Sequence, residues 1–385
     1  MNTEDRAHRT IVAMSGGVDS TVAAALLLEQ GHDCAGVHLK LFGAGENRAE
    51  GDCRAAGTCC SLSDAEDARS AASRLGLPFY VLNFKERFEG TVMRLFAEGY
   101  LRGETPNPCV DCNRYIKFGA LLARAVTLGY DSIATGHYVR REFANGRWLL
   151  RKGADESKDQ SYVLYMLTQE QLARTLFPLG EYTKERVREI AAERGFLNAG
   201  KRDSQDICFV PDGDYGAFLE RYTGQPLRPG DFVSPEGRVL GTHRGTPCYT
   251  LGQRKGLGLA LPRPGYVTAI DPAANTVTVG EEALLLRREF TAHEINLIAC
   301  DSLESPLRCR VKVRYRQGAQ WATAEQVDAD TLRVVFDEPQ RAITPGQAAV
   351  LYDGAYVVGG GTIKKHNFFK KNALPPCKTP ANRVQ

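Results

Sequence analysis

The stretch TIVAMSGGVDSTVAAALLLEQG, residues 10–31, decides the fold class of the first half of this chain. It begins with a short apolar run that predicts a buried strand, and it ends with an Ala- and Leu-rich run that predicts a helix stopping at Gly31. The turn between them leads directly into the helix N-terminus. Because the first N–H groups of a helix lack partners and the helix dipole is positive there, the turn favours a bound anion.

The composition of the turn narrows this prediction to a nucleotide phosphate. Gly16 and Gly17 let the main chain wrap closely around a phosphate group. The turn differs from the Walker type, since the chain has no GxxxxGK[ST] motif and no lysine is expected to reach the loop. Asp19 is expected to bind Mg²⁺ beside the phosphates. An ordinary strand-to-helix turn, in which the glycines only relieve crowding, is the alternative.

Length and composition describe a globular protein of more than one domain. A chain of 385 residues predicts two or three domains, and 43% apolar with 25% charged residues is typical of soluble proteins. The longest apolar run, residues 22–28, is far shorter than the ~20 residues that span a membrane. The opening MNTEDRAHRT lacks the apolar segment of an export signal. We therefore expect a cytoplasmic protein with no membrane segment, whose 11 cysteines are reactive or metal-binding rather than disulfide-bonded.

The chain changes character near residue 215. Strand-like and helix-like runs alternate before it, which predicts a parallel sheet covered by helices, with ligands at the carboxyl ends of the strands. After it, Pro and Gly recur and short alternating strands replace the helices. The glycine-rich residues 43–57 are expected to form a mobile loop. We predict a catalytic α/β domain at 1–216, a β-rich module at 217–283, a β-barrel at 284–369 and a disordered tail at 370–385.

A net charge of only +3 means that any polyanion must be met by a local patch. The segment LRCRVKVRYRQ, residues 307–317, offers one, because basic and mainly apolar residues alternate along it. As a strand it would point alternate residues to opposite faces. The face predicted to contact RNA or DNA consists of Arg308, Arg310, Lys312, Arg314 and Arg316. The face predicted to be buried consists of Cys309, Val311, Val313 and Tyr315. A solvated polar face is the alternative.

Two cysteines have settings that suit chemistry. Cys112 is expected just before a helix N-terminus with basic residues nearby, and both features favour the thiolate. Cys208 is expected in a loop at the end of the sheet domain. Cys109 and Cys112 also have the spacing of half a zinc or iron–sulfur site, although no second CxxC completes a four-cysteine zinc site. Small buried side chains are expected for Cys34, Cys248, Cys300 and Cys309.

Ordered sequence blocks along nearly the whole chain resemble the tRNA-specific 2-thiouridylases. The blocks are AMSGGVDS, TPNPCVDCNRYIKFG, ATGHY, KDQSYVLY, KRDSQDICFVPDGDY, TLGQRKGLG, VRYRQ and PGQAAVLYDG. The resemblance implies an α/β N-terminal PP-loop domain of the adenine nucleotide alpha hydrolase type with a parallel sheet, followed by two small β domains, the last a β-barrel. The turn after the first strand is then a PP-loop, which in such enzymes cleaves ATP between the α- and β-phosphates.

The activity that the resemblance implies is ATP-dependent 2-thiolation of the wobble uridine in the tRNAs for Lys, Glu and Gln. Such an enzyme transfers AMP to uridine O2 with release of pyrophosphate, and sulfur then displaces AMP. By resemblance, Cys208 carries a persulfide received from a sulfur-relay protein or a cysteine desulfurase. Cys112 frees the sulfur and leaves a Cys112–Cys208 disulfide for a reductant to reopen.

The resemblance also assigns binding residues. Expected contacts with ATP are Ala13, Met14, Ser15, Gly16, Gly17, Val18, Asp19, Ser20, Leu39 and Gly136. Asn107, Pro108 and Cys109 are expected to face the target base. The remaining expected tRNA-binding residues are His137, Lys158, Asp159, Gln160, Arg314, Tyr315 and Gln347. A loop histidine with no role in binding is the alternative for His137.

One position departs from the family pattern. Members of the family often have Asp where this chain has Cys109, so that NPD becomes NPC. Related thiolases use three cysteines to hold a [4Fe–4S] cluster, and Cys109, Cys112 and Cys208 would be the corresponding set. A persulfide route is the favoured prediction and an iron–sulfur route the alternative. A more distant alternative is a PP-loop amidotransferase or synthase such as argininosuccinate synthase, which needs no paired cysteines.

Overall fold

The structure is a computed structural model that describes residues 8–42, 62–201 and 207–365. The predicted mobile loop at 43–57, with Cys53, Cys59 and Cys60, and the predicted tail at 370–385 lie outside these ranges. None of the helices in the described ranges combines the length and apolar character needed to cross a membrane.

The first part of the chain forms the predicted α/β fold. Its elements are β1 (Arg9–Ala13), α1 (Val18–Glu29), β2 (Asp33–Lys40), α2 (Leu62–Arg74), β3 (Phe79–Asn83), α3 (Lys85–Phe88), α4 (Arg94–Leu101), α5 (Pro108–Asp111), α6 (Leu122–Thr127), β4 (Ser132–Ala134), β5 (Val139–Ala144), β6 (Arg147–Lys152), α7 (Gln169–Ala173), β7 (Thr175–Leu176), α8 (Lys184–Glu193) and α9 (Tyr215–Thr223). Within the described residues, a five-stranded parallel sheet has the order β3-β2-β1-β4-β7. The central strand β1 is buried, and the chain leaves its carboxyl end through the Gly-Gly turn into α1.

The helix that carries Cys112 begins earlier than the sequence suggested. Asn107 caps it, accepting a hydrogen bond from the Cys109 N–H at 3.2 Å, and Pro108 occupies the first helical position, where its missing N–H costs nothing. A π-helical segment, Cys112–Leu121, connects α5 to α6. Cys112 therefore lies a full turn inside the helix rather than before it. Because the dipole effect is confined to the first turn, it acts less on this thiol than we expected.

The second part is a small β module. Its strands are β8 (Gly230–Val233), β9 (Val239–His243), β10 (Tyr266–Asp271) and β11 (Thr276–Gly280). They form a sheet in the order β10-β11-β8-β9. The module has its own core, in which the buried ring of Phe232 packs with Tyr249 and with Val267, Val277 and Val279.

The third part is a β-barrel. Its strands are β12 (Leu286–Leu297), β13 (Leu307–Lys312), β14 (Gln320–Asp328), β15 (Thr331–Arg341), β16 (Ala348–Asp353) and β17 (Tyr356–Ile363). The order β12-β15-β14-β13-β16-β17 closes because β12 also pairs with β17. This closure confirms the predicted barrel and leaves no edge among its own strands.

The first domain contributes a hairpin to the barrel sheet, which the sequence did not predict. Strands β5 and β6 pair with each other, and β6 joins β17 at the Arg151–Tyr356 position. The Tyr356 hydroxyl donates to Glu142 at 2.8 Å, and Arg151 bonds the same carboxylate at 2.7 Å. One continuous hydrophobic core accordingly contains Phe96 and Phe209 of the first part together with Val350 and Tyr352 of the barrel.

Candidate functional site

A cavity of about 490 Å³ opens at the carboxyl ends of β1, β2 and β4. This is the edge at which parallel α/β sheets bind ligands. The predicted ATP contacts that line the cavity are Ala13, Met14, Ser15, Gly17, Val18, Asp19, Ser20, Leu39 and Gly136. Gly16, the remaining predicted contact, is not among the lining residues; it lies against α2, as described below.

The PP-loop is held in shape by hydrogen bonds inside the turn. The Ser20 hydroxyl donates to the Gly17 carbonyl at 3.1 Å and accepts from the Ser15 N–H at 3.2 Å. Gly16 has φ +79°, and a Cβ added there would collide with the backbone carbonyl of Asp64. Glycine is therefore required at this position by both conformation and space.

Gly136 approaches the same loop from the end of β4. A Cβ at this position would lie 2.9 Å from the Asp19 carbonyl carbon and 2.9 Å from the Ser20 nitrogen. Real Cβ atoms do not approach backbone so closely, so the first turn of α1 and residue 136 are in contact only because position 136 has no side chain.

The carboxylate of Asp19 is paired with a lysine, contrary to the sequence expectation. The Lys184 ammonium donates to the two Asp19 oxygens at 2.7 and 2.8 Å, and the Tyr138 hydroxyl donates to the same carboxylate at 2.6 Å. We expected no lysine in the loop and a Mg²⁺ ion beside Asp19. Lys184 reaches the loop from the start of α8. Because it is distant from the loop in sequence, no local motif of the Walker type includes it.

A second lysine, Lys201, connects the PP-loop to two acids of α2. Lys201 donates to Asp64 and Asp67 at 2.6 Å each, and its ammonium lies 3.5 Å from the Gly16 carbonyl. The Asn198 amide donates to the same carbonyl at 3.1 Å. The segment just before residues 202–206 is thus fixed to the PP-loop.

Several predicted tRNA-binding residues also line the cavity, namely His137, Lys158, Gln160 and Tyr315. His137 is buried, its Nδ1 lies 2.8 Å from the Thr135 hydroxyl, and burial together with Lys117 lowers its pKa well below the ordinary value. Its imidazole is therefore neutral at pH 7 and suited to hydrogen bonding rather than to charge pairing. Gln160 accepts from the Tyr138 N–H at 3.0 Å.

Asp159 lies outside the cavity lining and has an internal role in this structure. Its carboxylate accepts hydrogen bonds from the N–H groups of Gly153 and Ser161 and from the Ser161 hydroxyl at 2.8 Å. It therefore shapes the loop that presents Lys158 and Gln160. Its predicted contact with tRNA stays a prediction.

The segment predicted to face the target base lies against the barrel. The Gln347 amide donates to the Thr105 carbonyl at 2.6 Å, just before Asn107, and the Thr105 N–H donates to Pro345 at 2.8 Å. Gln347 thus positions the segment rather than lining the cavity. Pro108 is buried, whereas Cys109 is exposed.

An acid between the two helical cysteines has an unusual environment. Burial raises the pKa of Asp111 to about 7, with Glu294 acting in the same direction and Arg114 against it. Asp111 lies in the first turn of α5, where the helix dipole by itself favours the ionised acid. Its burial depends on contacts with distant parts of the chain.

Cys112 and Cys208 both pack against the hydrophobic core that the first part of the chain shares with the barrel. Both are half-buried, while Cys109 is exposed and is not among the residues that pack there. Burial raises the pKa of Cys34 to about 11 and of Cys309 to about 12, and it raises those of Cys248 and Cys300 as well. These four thiols are protonated at neutral pH and fit the expected structural role.

The predicted five-cation face of residues 307–317 does not form as a continuous stripe. β13 ends at Lys312, and the Arg314 guanidinium turns inward, donating at 3.0 Å to Leu251, 3.2 Å to Ala342 and 2.6 Å to Thr344. Near the other end, Arg308 pairs with Asp337 at 2.5 and 2.6 Å. The sequence window contained no acid, but the barrel brings one from β15.

The turn after β13 reaches the cavity. Tyr315 is 40% exposed and Arg316 is exposed, and both line the cavity from the barrel side. The expectation that Tyr315 belongs to the buried face is therefore wrong. Arg316 had been predicted to contact RNA or DNA, but not to line this cavity. Sequence reasoning missed further lining residues from scattered elements: His38, Asp64, Lys117, Lys184 and Lys201. Lys117, Lys201 and Arg316 lie within the family blocks, whereas His38, Asp64 and Lys184 lie outside them.

Models of three protein families match successive parts of the chain. A tRNA methyl transferase HUP domain matches residues 8–212, a tRNA methyl transferase PRC-barrel domain matches 216–281, and an aminomethyltransferase beta-barrel domain matches 287–363. A tRNA-specific 2-thiouridylase MnmA of Carboxydothermus hydrogenoformans is 50% identical over 359 residues, which cover 93% of this chain and 98% of the relative. One of Moorella thermoacetica is 52% identical over 356 residues, 92% and 99% of the two chains.

Proposed function

Because this chain belongs to the tRNA-specific 2-thiouridylase family, we propose that it replaces O2 of the wobble uridine of tRNA with sulfur, using ATP to activate that oxygen. The observation that carries the proposal is the combination of a preformed PP-loop cavity with two half-buried cysteines on one core. Methyl transfer, which the description of the HUP-domain model names, would use neither feature.

The reaction consists of an activation and a substitution. Uridine O2 attacks the α-phosphorus of ATP, the bond to the bridging oxygen breaks, and pyrophosphate leaves. The Cys112 thiolate then attacks Sγ of a Cys208 persulfide, which forms the Cys112–Cys208 disulfide and releases the terminal sulfur with its electron pair as hydrosulfide. Hydrosulfide adds to C2 and expels AMP. A dithiol reductant supplies two electrons to reopen the disulfide, and a persulfide-bearing donor protein reloads Cys208.

The cavity suits the first step through its charges and its N–H groups. The N-terminus of α1 points its N–H groups and positive dipole end at the turn, which favours the phosphates. The proposed ATP contacts are the lining residues of the loop with Leu39 and Gly136. Lys158, Gln160 and His137 lie at the same cavity and are proposed to meet the tRNA there.

Neither proposed metal has a ready donor set in the described residues. Within 8–42, 62–201 and 207–365, no group of three His, Cys, Asp or Glu side chains could hold a metal ion. The Asp19 oxygens accept from Lys184, so this carboxylate is not arranged as a Mg²⁺ ligand. Cys109 is exposed, whereas Cys112 and Cys208 are half-buried against the hydrophobic core. We therefore propose the persulfide route.

The test is nucleoside analysis of tRNA combined with an assay of pyrophosphate. Cells lacking the protein should lose 2-thiouridine at the wobble position, and the wild-type gene should restore it. Cys208→Ser should still release pyrophosphate from ATP and tRNA in vitro but form no thiolated product, because activation precedes sulfur transfer. Cys300→Ser, a substitution of a protonated thiol away from the cavity, is the control and should retain thiolation.

Three outcomes would contradict the proposal. If Cys208→Ser retains full activity toward tRNA, the two-cysteine mechanism is wrong. If ATP is cleaved only when a carboxylate substrate is present, the chain is a PP-loop synthase instead. An anaerobically purified sample with a broad iron–sulfur absorbance that disappears in Cys109→Ala would establish the cluster route in place of the persulfide.

A further inference from the structure

The barrel contributes a cation to the lining of the PP-loop cavity. Arg316 lines the cavity from the turn after β13, whereas the loop belongs to the first domain. The family resemblance did not assign this residue a role. Since two domains build the cavity, a ligand in it can contact both.

The charges of the cavity distinguish Arg316 from the lysines of the loop. Lys184 is paired with Asp19, and Lys201 is paired with Asp64 and Asp67. In the part of the chain that the structure describes, no carboxylate lies within salt-bridge distance of the Arg316 guanidinium. A cation that faces a cavity without an acidic partner attracts an anion, and a guanidinium presents the planar donor fork that matches phosphate.

The turn that carries Arg316 is fixed at both ends. Arg314 holds one end through its three hydrogen bonds to Leu251, Ala342 and Thr344. The Gln317 N–H donates to the Arg314 carbonyl at 3.2 Å, and its side-chain amide donates to Gln340 at 3.1 Å. The guanidinium of Arg316 is therefore presented from a rigid support, which lowers the entropic cost of binding.

We propose that Arg316 binds a phosphate group in the PP-loop cavity. This inference rests on the proposed function, which supplies two sources of the phosphate group. They are the phosphates of ATP and the backbone phosphate of the wobble nucleotide. In both cases the barrel completes a site that the first domain alone would leave open. Arg316 is then a substrate-binding residue, distinct from its neighbour Arg314, which supports the turn.

The experiment measures two binding constants separately for the full-length protein. The first is the Kd of α,β-methylene ATP without tRNA, and the second is the Kd of unmodified tRNA without nucleotide. Arg316→Ala should weaken one of them about tenfold or more, since it removes a charge-assisted contact. Loss in the first assay identifies the ATP phosphates as the ligand, and loss in the second identifies the tRNA phosphate. Arg316→Lys should restore part of the loss, because it keeps the charge without the fork.

The control is Arg288→Ala, which removes an exposed barrel arginine outside the cavity. Unchanged binding in both assays for Arg316→Ala would overturn the inference, as would an equal loss in the control. Thermal unfolding of every variant shows whether a loss reflects folding, and Arg316→Gln then provides a variant of similar size. If the wild-type protein itself binds neither ligand, the proposed function fails rather than this inference.

Discussion

The ammonium of Lys184 lies 2.7 and 2.8 Å from the two carboxylate oxygens of Asp19, although 165 positions separate the residues in the chain. The lysine side chain is only 8% exposed. Asp19 sits in the first turn of α1, where the dipole already favours a negative charge. The pair therefore neutralises the acid of the PP-loop and joins α8 to it.

We expect Lys184→Met to destabilise the protein by about 3 kcal/mol, because it leaves a poorly solvated carboxylate without its partner. The measurement is equilibrium unfolding in denaturant. The double variant Lys184→Met with Asp19→Asn should recover part of the loss, since no charge is then left behind. A Lys184→Met protein as stable as wild type would contradict the importance of this pair.

Gly136→Ala should weaken binding of an ATP analogue about tenfold. The new methyl group would meet the backbone of Asp19 and Ser20 at 2.9 Å, so the start of α1 must shift. Calorimetric titration checks the affinity. Gly90→Ala is the matched control, since a Cβ there meets nothing within 4 Å; an equal loss of affinity in both variants would show that the contact at Gly136 is irrelevant.

Arg314→Ala should lower stability by about 2 kcal/mol, because three buried acceptors lose their donor. Arg314→Lys should restore only part of the lost stability, since one ammonium cannot reproduce the three guanidinium contacts. Urea unfolding measures the effect. Unchanged stability with weakened tRNA binding would instead support the direct tRNA contact that the sequence predicted.

Stability should fall as the pH drops below about 6.5, in part because of His137. Burial lowers the pKa of this imidazole in the folded protein, so between that value and about 6.5 the unfolded chain binds more protons. Its contribution is complete above pH 6.5 and is lost progressively below it. His137→Gln should flatten the decline between pH 7 and 5 relative to wild type; identical slopes would contradict the assignment.

The sequence was sufficient for the features that depend on local pattern. The apolar run before the Gly-Gly turn forms the predicted buried strand, and the turn enters α1 as expected. Tertiary contacts decided the rest. Arg314 continues a basic alternation in sequence, yet carbonyls from two other segments draw it inward. Lys184 pairs with Asp19 from a helix that no local motif connects with the loop.

The hairpin of the first domain, which the sequence did not predict, is another instance of the same limit. The alternation in residues 139–152 is weak, and pairing of β6 with the final strand of the barrel stabilises the hairpin. Strand pairing over such a distance leaves no periodic signal in either segment. The domain boundaries at 216 and 283 stay predictions.

The junction of β6 with β17 has a consequence for synthesis on the ribosome. Strand β6 of the hairpin pairs with β17 at Tyr356, which is translated some two hundred residues later. Until that strand emerges, the outer edge of the hairpin has unpaired N–H and C=O groups that favour association with other chains. A messenger truncated before the last strand therefore yields a protein that lacks the barrel seam and is prone to aggregate, even though every residue of the PP-loop is present.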